Sequence, residues 1–252
     1  MTHYKLAIVM LTHEQPDCVA DNIQNFLRFN SDQTLIVISN DRGMDINHLA
    51  QDHVRIINRR PKSWCDALVP YHIEAYDYMR TNNLSADYVV TMASNQLFLR
   101  TGFYNFIQQY SAGYWARYHH FRWDPFCRCE DKLCDTFYVD DLKEENLHNL
   151  SNHDGMFFRW DVFAQMVDYF GVHFRTRYCV HMIEERLYAG YLLKNIAPEQ
   201  LAEFTRYNFF NWSDCSVEQV NEAREKNLYM IKKISRKYED PARVYIRSLP
   251  SI

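Results

Sequence analysis

Between Arg224 and Arg247 the chain carries eight bases, Arg224, Lys226, Lys232, Lys233, Arg236, Lys237, Arg243 and Arg247, against three acids, Glu225, Glu239 and Asp240. The whole chain has a formal net charge of -4, so this is a basic cluster in an acidic protein. Such a cluster fits an anionic ligand. Lysine and arginine can neutralise a diphosphate where neither a metal nor a glycine loop does so; a solvated basic face is the plainer alternative. Glu184-Glu185 offer a general base. Adjacent residues point in different directions on a helix, so one of the two would face a given site, and acids also favour a helix start through its dipole alone. Cys127, Cys129 and Cys134, with His119 and His120 nearby, could hold zinc, but they lack the C-x2-C spacing and a second matching pair. Free thiols in an irregular loop are the simpler reading. No G-x-S-x-G is present, and no cysteine stands in a nucleophile context.

The scarcity of glycine narrows the phosphate chemistry. The chain has 252 residues and only 6 glycines. There is no G-x-G-x-x-G and no G-x-x-x-x-G-K-[ST], so a bound nucleotide must be gripped by side chains. Aromatic residues make up 15% of the chain. Trp115, Tyr118, Phe121, Trp123 and Phe126 could line a sugar groove by stacking on C–H faces, or simply pack in a core.

These residues need a frame, and the periodicity predicts one. Residues 5–11, 34–39, 54–57 and 88–92 read as short buried strands. Between them lie helical patterns over 17–29, entered through Pro16, and over 63–81. Strands alternating with helices predict an α/β fold, a mostly parallel sheet flanked by helices. Ligands of such sheets bind beyond the carboxyl ends of the strands, which here are Thr12-His13-Glu14, Asn40-Asp41 and Ser94-Asn95. The turn after the fourth strand, where an Asp-x-Asp would serve a divalent metal, holds Ala93-Ser94-Asn95; Asp140-Asp141 is the remaining acidic pair. Further helices are predicted over 103–110, 156–169, 183–193, 217–228 and 241–249. Residues 229–238 read as strand-like, and 114–150 as a long irregular excursion.

No linker, repeat or low-complexity stretch is evident, which predicts a single domain over 1–252 with a nucleotide-binding half (1–100) and an acceptor-binding and catalytic half (101–252). The net charge argues against nucleic acid as a partner. No apolar run approaches the roughly 18–20 residues that span a bilayer, and the N-terminal segment does not read as a signal peptide. Seven cysteines without an export signal predict reduced thiols and a cytoplasmic location.

Four segments and a basic ending, taken in order, resemble GT-A-fold glycosyltransferases, and among them the core-2/I-branching β-N-acetylglucosaminyltransferase and xylosyltransferase family with its bacterial relatives. LAIVMLTHEQPDCVADNIQNF is similar to that family's opening strand and its His-x-x-Pro turn. Arg60-Pro61-Lys62-Ser63-Trp64 is similar to its Ser-Trp motif, and Ser94 to Arg100 takes the place of its S-G-x-D-x-P-L turn without that turn's Gly, Asp and Pro. Ile183-Glu184-Glu185-Arg186-Leu187-Tyr188 is similar to its P-D-E-x-x-W helix start without the proline. The segment from Lys232 to Leu249 resembles its basic donor-binding end.

The resemblance implies a Rossmann-like GT-A domain and an inverting, metal-independent transferase with no cofactor beyond a nucleotide-diphosphate sugar, UDP-sugar being favoured. Thr12, His13, Asp41, Ser63 and Trp64 would bind the nucleotide. Lys232, Lys233, Arg236 and Lys237 would hold the diphosphate. Glu185, or Glu184, would be the base, and Ser94, Asn95 and Trp123 would meet the acceptor. The expected reaction moves an N-acetylglucosamine-like sugar to a glycan or lipid-linked acceptor in bacterial surface polysaccharide or lipopolysaccharide synthesis, with peripheral association at the inner face of the membrane. The alternatives are a metal-dependent GT-A transferase using Asp140-Asp141, a zinc enzyme, and a non-catalytic glycan- or nucleotide-binding module.

Overall fold

A computed structural model describes residues 2–41, 43–58, 69–114, 117–118, 149–150, 154–173 and 183–251. Its strands are β1 (Thr2–Thr12), β2 (Thr34–Asn40), β3 (Val54–Asn58), β4 (Leu84–Ala93), β5 (Gln96–Phe98), β6 (Ala112–Tyr114), β7 (Arg117–Tyr118), β8 (Asn149–Leu150), β9 (Phe157–Arg159), β10 (Leu201–Glu203), β11 (Asn208–Phe210) and β12 (Met230–Lys232). Its helices are α1 (Pro16–Asn30), α2 (Val69–Thr81), α3 (Phe103–Ile107), α4 (Trp160–His173), α5 (Ile183–Asn195), α6 (Val217–Glu225) and α7 (Pro241–Ser248).

Seven strands form the central sheet in the order β10-β6-β9-β4-β1-β2-β3. Strand β9 runs antiparallel to both of its neighbours, and the remaining pairings are parallel. The α/β architecture is thus a mostly parallel sheet flanked by helices. Its strands are apolar on both faces because both faces are covered. Along β1, Leu6, Ile8 and Met10 join one core cluster and Ala7 and Val9 the other. The first cluster is closed by α1, α3, α6 and α7, the second by α2, α4 and α5. Proline stands at the start of α1, where its missing N–H costs nothing. Among the described residues no helix is long and apolar enough to cross a membrane.

The helix expected over 156–169 divides in two. Residues 157–159 are strand β9, and the helix begins at Trp160. Phe157 enters one core cluster and Phe158 the other, which is the period of a strand rather than of a helix. Pairing with β4 on one side and β6 on the other decides it. The strand-like stretch 229–238 is a strand only at 230–232, and Gln96–Phe98, read as part of a turn, is strand β5. Strands β11, β12 and β5 make a second, three-stranded sheet, and β7 pairs with β8. Most of 114–150, the predicted irregular excursion, lies outside the described residues, as does the helix start at 63–68.

Candidate functional site

The chain lays down β1, β2 and β3 outward in one direction and then returns to place β4 on the other side of β1. The strand order therefore reverses between β1 and β4, and it is at such switch points that ligands of these sheets bind. The register levels the strand ends there: Thr12 lies opposite Asn40, and Leu11 opposite Ala93. Thr12 is fully buried; its hydroxyl accepts from the Glu14 N–H at 3.2 Å, and its carbonyl accepts from the Asp41 N–H at 3.2 Å. The Tyr71 hydroxyl of α2 donates to Asp41 Oδ1 at 2.8 Å.

The C-terminal basic segment is carried to this edge by the second sheet. Lys232 of β12 pairs with Gln96 of β5, directly after the Ser94-Asn95 turn, and the Ile234 N–H donates to the Asn95 carbonyl at 2.8 Å. Arg236 Nε then stands 2.8 Å from Glu14 Oε1, an ion pair between the last fifth of the chain and the end of its first strand. Glu14 is only 5% exposed and also accepts from Ser94 Oγ at 2.7 Å, with His13 Nε2 3.7 Å away. Beneath the loop Arg243 is fully buried. It donates to Asp21 at 2.6 Å, to Asn22 at 3.0 Å and to the Ser235 carbonyl at 3.2 Å.

The four expected diphosphate ligands differ in position. Arg236 and Lys237 are exposed. Lys233 is half-buried and donates to the Trp212 carbonyl at 2.8 Å. Lys232 is 8% exposed and forms an ion pair with Asp154. Burial, with Lys233 and Arg236 nearby, pushes the Lys232 ammonium down to about 7, and the Asp154 carboxylate in contact with it favours the charged form. Lys232 therefore sits in the frame, with Lys233, Arg236 and Lys237 nearer the surface. Ser94 and Asn95, expected at the acceptor, are also frame residues, 2% and 5% exposed.

Glu184 and Glu185 occupy the first turn of α5. Helix α5 leads into β10 and α2 into β4, strands that point toward the carboxyl edge, so both helices begin at that edge. His72 in the first turn of α2 meets the Tyr188 hydroxyl in α5, which fixes the two helix starts side by side. Ser63, Trp64 and Trp123 lie outside the described residues, as do Cys127, Cys129, Cys134, Asp140 and Asp141. Among the described residues no group of three or more His, Cys, Asp or Glu side chains could hold a metal ion.

Three residues join the site that side-chain type alone did not single out. Glu14 lay in a turn already placed at the edge. Asp154 stands with Gly155 in a turn before β9. Gly155 has φ +81°, and a Cβ there would run into Gln96 and Asn208, so that turn needs glycine. Trp212 is 67% exposed, packs edge-on against Phe210 at 5.0 Å, and adjoins Lys233.

No protein-family model matches the chain, and no curated protein matches it. The site's meaning therefore rests on its own chemistry.

Proposed function

We propose that the chain is a GT-A-type glycosyltransferase that moves a sugar, N-acetylglucosamine-like, from a nucleotide-diphosphate donor, UDP favoured, to a glycan or lipid-linked acceptor with inversion. The observation that carries this reading is the return of the C-terminal basic segment to the β1/β4 switch point, where Arg236 meets Glu14. A nucleotide at this edge would lie beside Thr12 and Asp41, and its diphosphate beside Lys233, Arg236 and Lys237. Trp212 adds an exposed aromatic face next to Lys233 on which a sugar ring can stack. The order of the sequence segments supplies the rest of the support.

In this mechanism Glu185, with Glu184 its neighbour, takes the proton from the acceptor hydroxyl. The acceptor oxygen bonds to the anomeric carbon as the bond from that carbon to the diphosphate oxygen breaks. The diphosphate leaves with the electron pair, and the cations neutralise its growing charge. One base suffices, and no covalent intermediate forms. The setting would be surface polysaccharide or lipopolysaccharide assembly on the cytoplasmic side, at or near the membrane.

A thermal-shift screen of UDP-, GDP-, CMP- and dTDP-sugars, with and without chelator, reads donor choice directly, because a ligand that binds only the folded state raises apparent stability. UDP-sugars are expected to raise the melting temperature with chelator present. Glu185→Gln should keep that shift and lose transfer. Full turnover by this variant removes the base assignment. Transfer abolished by chelator and restored by manganese replaces the metal-independent reading with the metal-dependent one. Binding with neither transfer nor hydrolysis of any donor leaves a nucleotide-binding module.

A further inference from the structure

The contacts around Arg236 close into a ring. Arg243 Nη1 donates to Asn22 Oδ1 at 3.0 Å, and Asn22 Nδ2 donates to the Ser94 carbonyl at 2.7 Å. Ser94 Oγ donates to Glu14 Oε1 at 2.7 Å, and the same oxygen is 2.8 Å from Arg236 Nε. Arg236 follows Ser235, whose carbonyl accepts from Arg243 Nε at 3.2 Å. Three regions distant in sequence, the β1 end with α1, the β4–β5 turn and the C-terminal loop with α7, are thereby tied to one another. Asp21 neutralises Arg243 at 2.6 Å, and the Arg236 carbonyl also accepts from Cys18 Sγ at 3.4 Å. Every side chain of the ring is buried except one. Arg236 is 47% exposed, and its two terminal nitrogens meet no partner among the described residues.

A guanidinium tied at Nε and open at both terminal nitrogens presents the fork that matches two phosphate oxygens. We propose that Glu14 is a positioning residue: its buried carboxylate, fixed by the ring, holds the Arg236 guanidinium in place to grip a polyphosphate anion. The inference rests on the diphosphate reading of this edge and adds the residue that preorganises the grip. Its content is a sign. An acid beside an anion site repels the anion, so on charge alone removing Glu14 should tighten binding. If Glu14 positions Arg236, removing it should weaken binding, because the freed arginine must be ordered again at each binding event.

The test is calorimetric titration of the full chain with inorganic pyrophosphate and with UDP. Glu14→Met fills the space and breaks the ring; pyrophosphate affinity is expected to fall about tenfold, the size of one charge-assisted contact. Glu14→Gln keeps an oxygen for both Ser94 and Arg236 while removing the charge, and should bind as tightly as the parent or more tightly. Ser94→Ala removes one link and leaves Glu14 and Arg236 in place; a loss of about threefold is expected, and this variant carries the test if Glu14→Met does not fold. Unchanged or tighter binding by Glu14→Met, or by Ser94→Ala in its place, overturns the proposal, as does a parent protein that binds no pyrophosphate. Glu14-dependent pyrophosphate binding without transfer from any nucleotide sugar would overturn the transferase reading and leave this inference standing. Sugar transfer with donor affinity indifferent to Glu14 would do the reverse.

Discussion

On one face of the central sheet, α1 and α7 bury Asp21, Asn22, Asn25 and Arg243 beside their apolar residues. On the other, α2, α4 and α5 bring together Ala75, Tyr76, Met79, Phe163, Met166 and Phe170. Both faces exclude water, but only the first fixes charges. Most of its polar groups are paired: Asn25 accepts from the Phe98 N–H at 2.7 Å and donates to the Phe98 carbonyl at 2.9 Å, and Asn22 donates to the Ser94 carbonyl at 2.7 Å and accepts from Arg243 at 3.0 Å. The second face is held mainly by shape and area, each fully buried large side chain contributing about 1.5–3 kcal/mol. The difference separates two tasks: one face makes the sheet stable, and the other also positions the loop that carries the basic cluster.

Variants on the two faces should therefore fail differently. Arg243→Met leaves the buried Asp21 with only the longer contact to Arg247 at 3.7 Å, and should cost roughly 3 kcal/mol in urea unfolding. Whatever folds should bind pyrophosphate more weakly, because the Ser235 carbonyl and Asn22 lose their common donor; unchanged affinity would break the proposed division of labour. Phe163→Ala opens a cavity on the other face and should cost about 3 kcal/mol, with pyrophosphate affinity of the folded fraction unaltered.

Asp154→Asn separates the buried Lys232 from its partner, at a cost of roughly 3 kcal/mol at pH 7. Lys232 gives up its proton at about 7 in the folded parent and at about 10.4 in the unfolded chain, and losing the carboxylate lowers the folded value further. Between the folded and unfolded values the folded state binds fewer protons, so stability should rise with pH there, from about 7 in the parent and from lower pH in the variant. Melting curves on both sides of pH 7 give the comparison, and a variant whose rise begins at no lower pH than the parent's would contradict it. The smallest effect concerns Ser216, whose hydroxyl caps α6 in a reciprocal pair with Gln219. Ser216→Ala should cost about 1 kcal/mol and leave anion binding alone, which urea titration and calorimetry together would read.

Strands β1 to β4 were legible because each is a short apolar run between polar turns, and helix α1 because Pro16 opens an amphipathic stretch. Strand β9 was not, because Phe157 and Phe158 look equally suited to a helix until two neighbouring strands claim their backbone. The candidate site was legible in part. The strand-end rule located Thr12, His13, Asp41 and the Ser94-Asn95 turn, and charge located the basic cluster. The separate parts of Lys232 and Arg236 were not legible, since both are cations in one segment. Nothing local shows that the first will be buried against Asp154 and the second left at the surface.

By itself, then, the sequence determined an α/β frame, the lack of any glycine-rich phosphate-loop motif and a cationic segment near the C-terminus. These follow from residue type and short-range period, which need no partner. Only the tertiary structure decided that Glu14 at the end of the first strand meets Arg236, that Arg243 closes the contacts behind them and that Lys232 lies beneath. Those outcomes depend on contacts between groups up to 222 positions apart, and no local preference encodes which distant partner a buried charge will find.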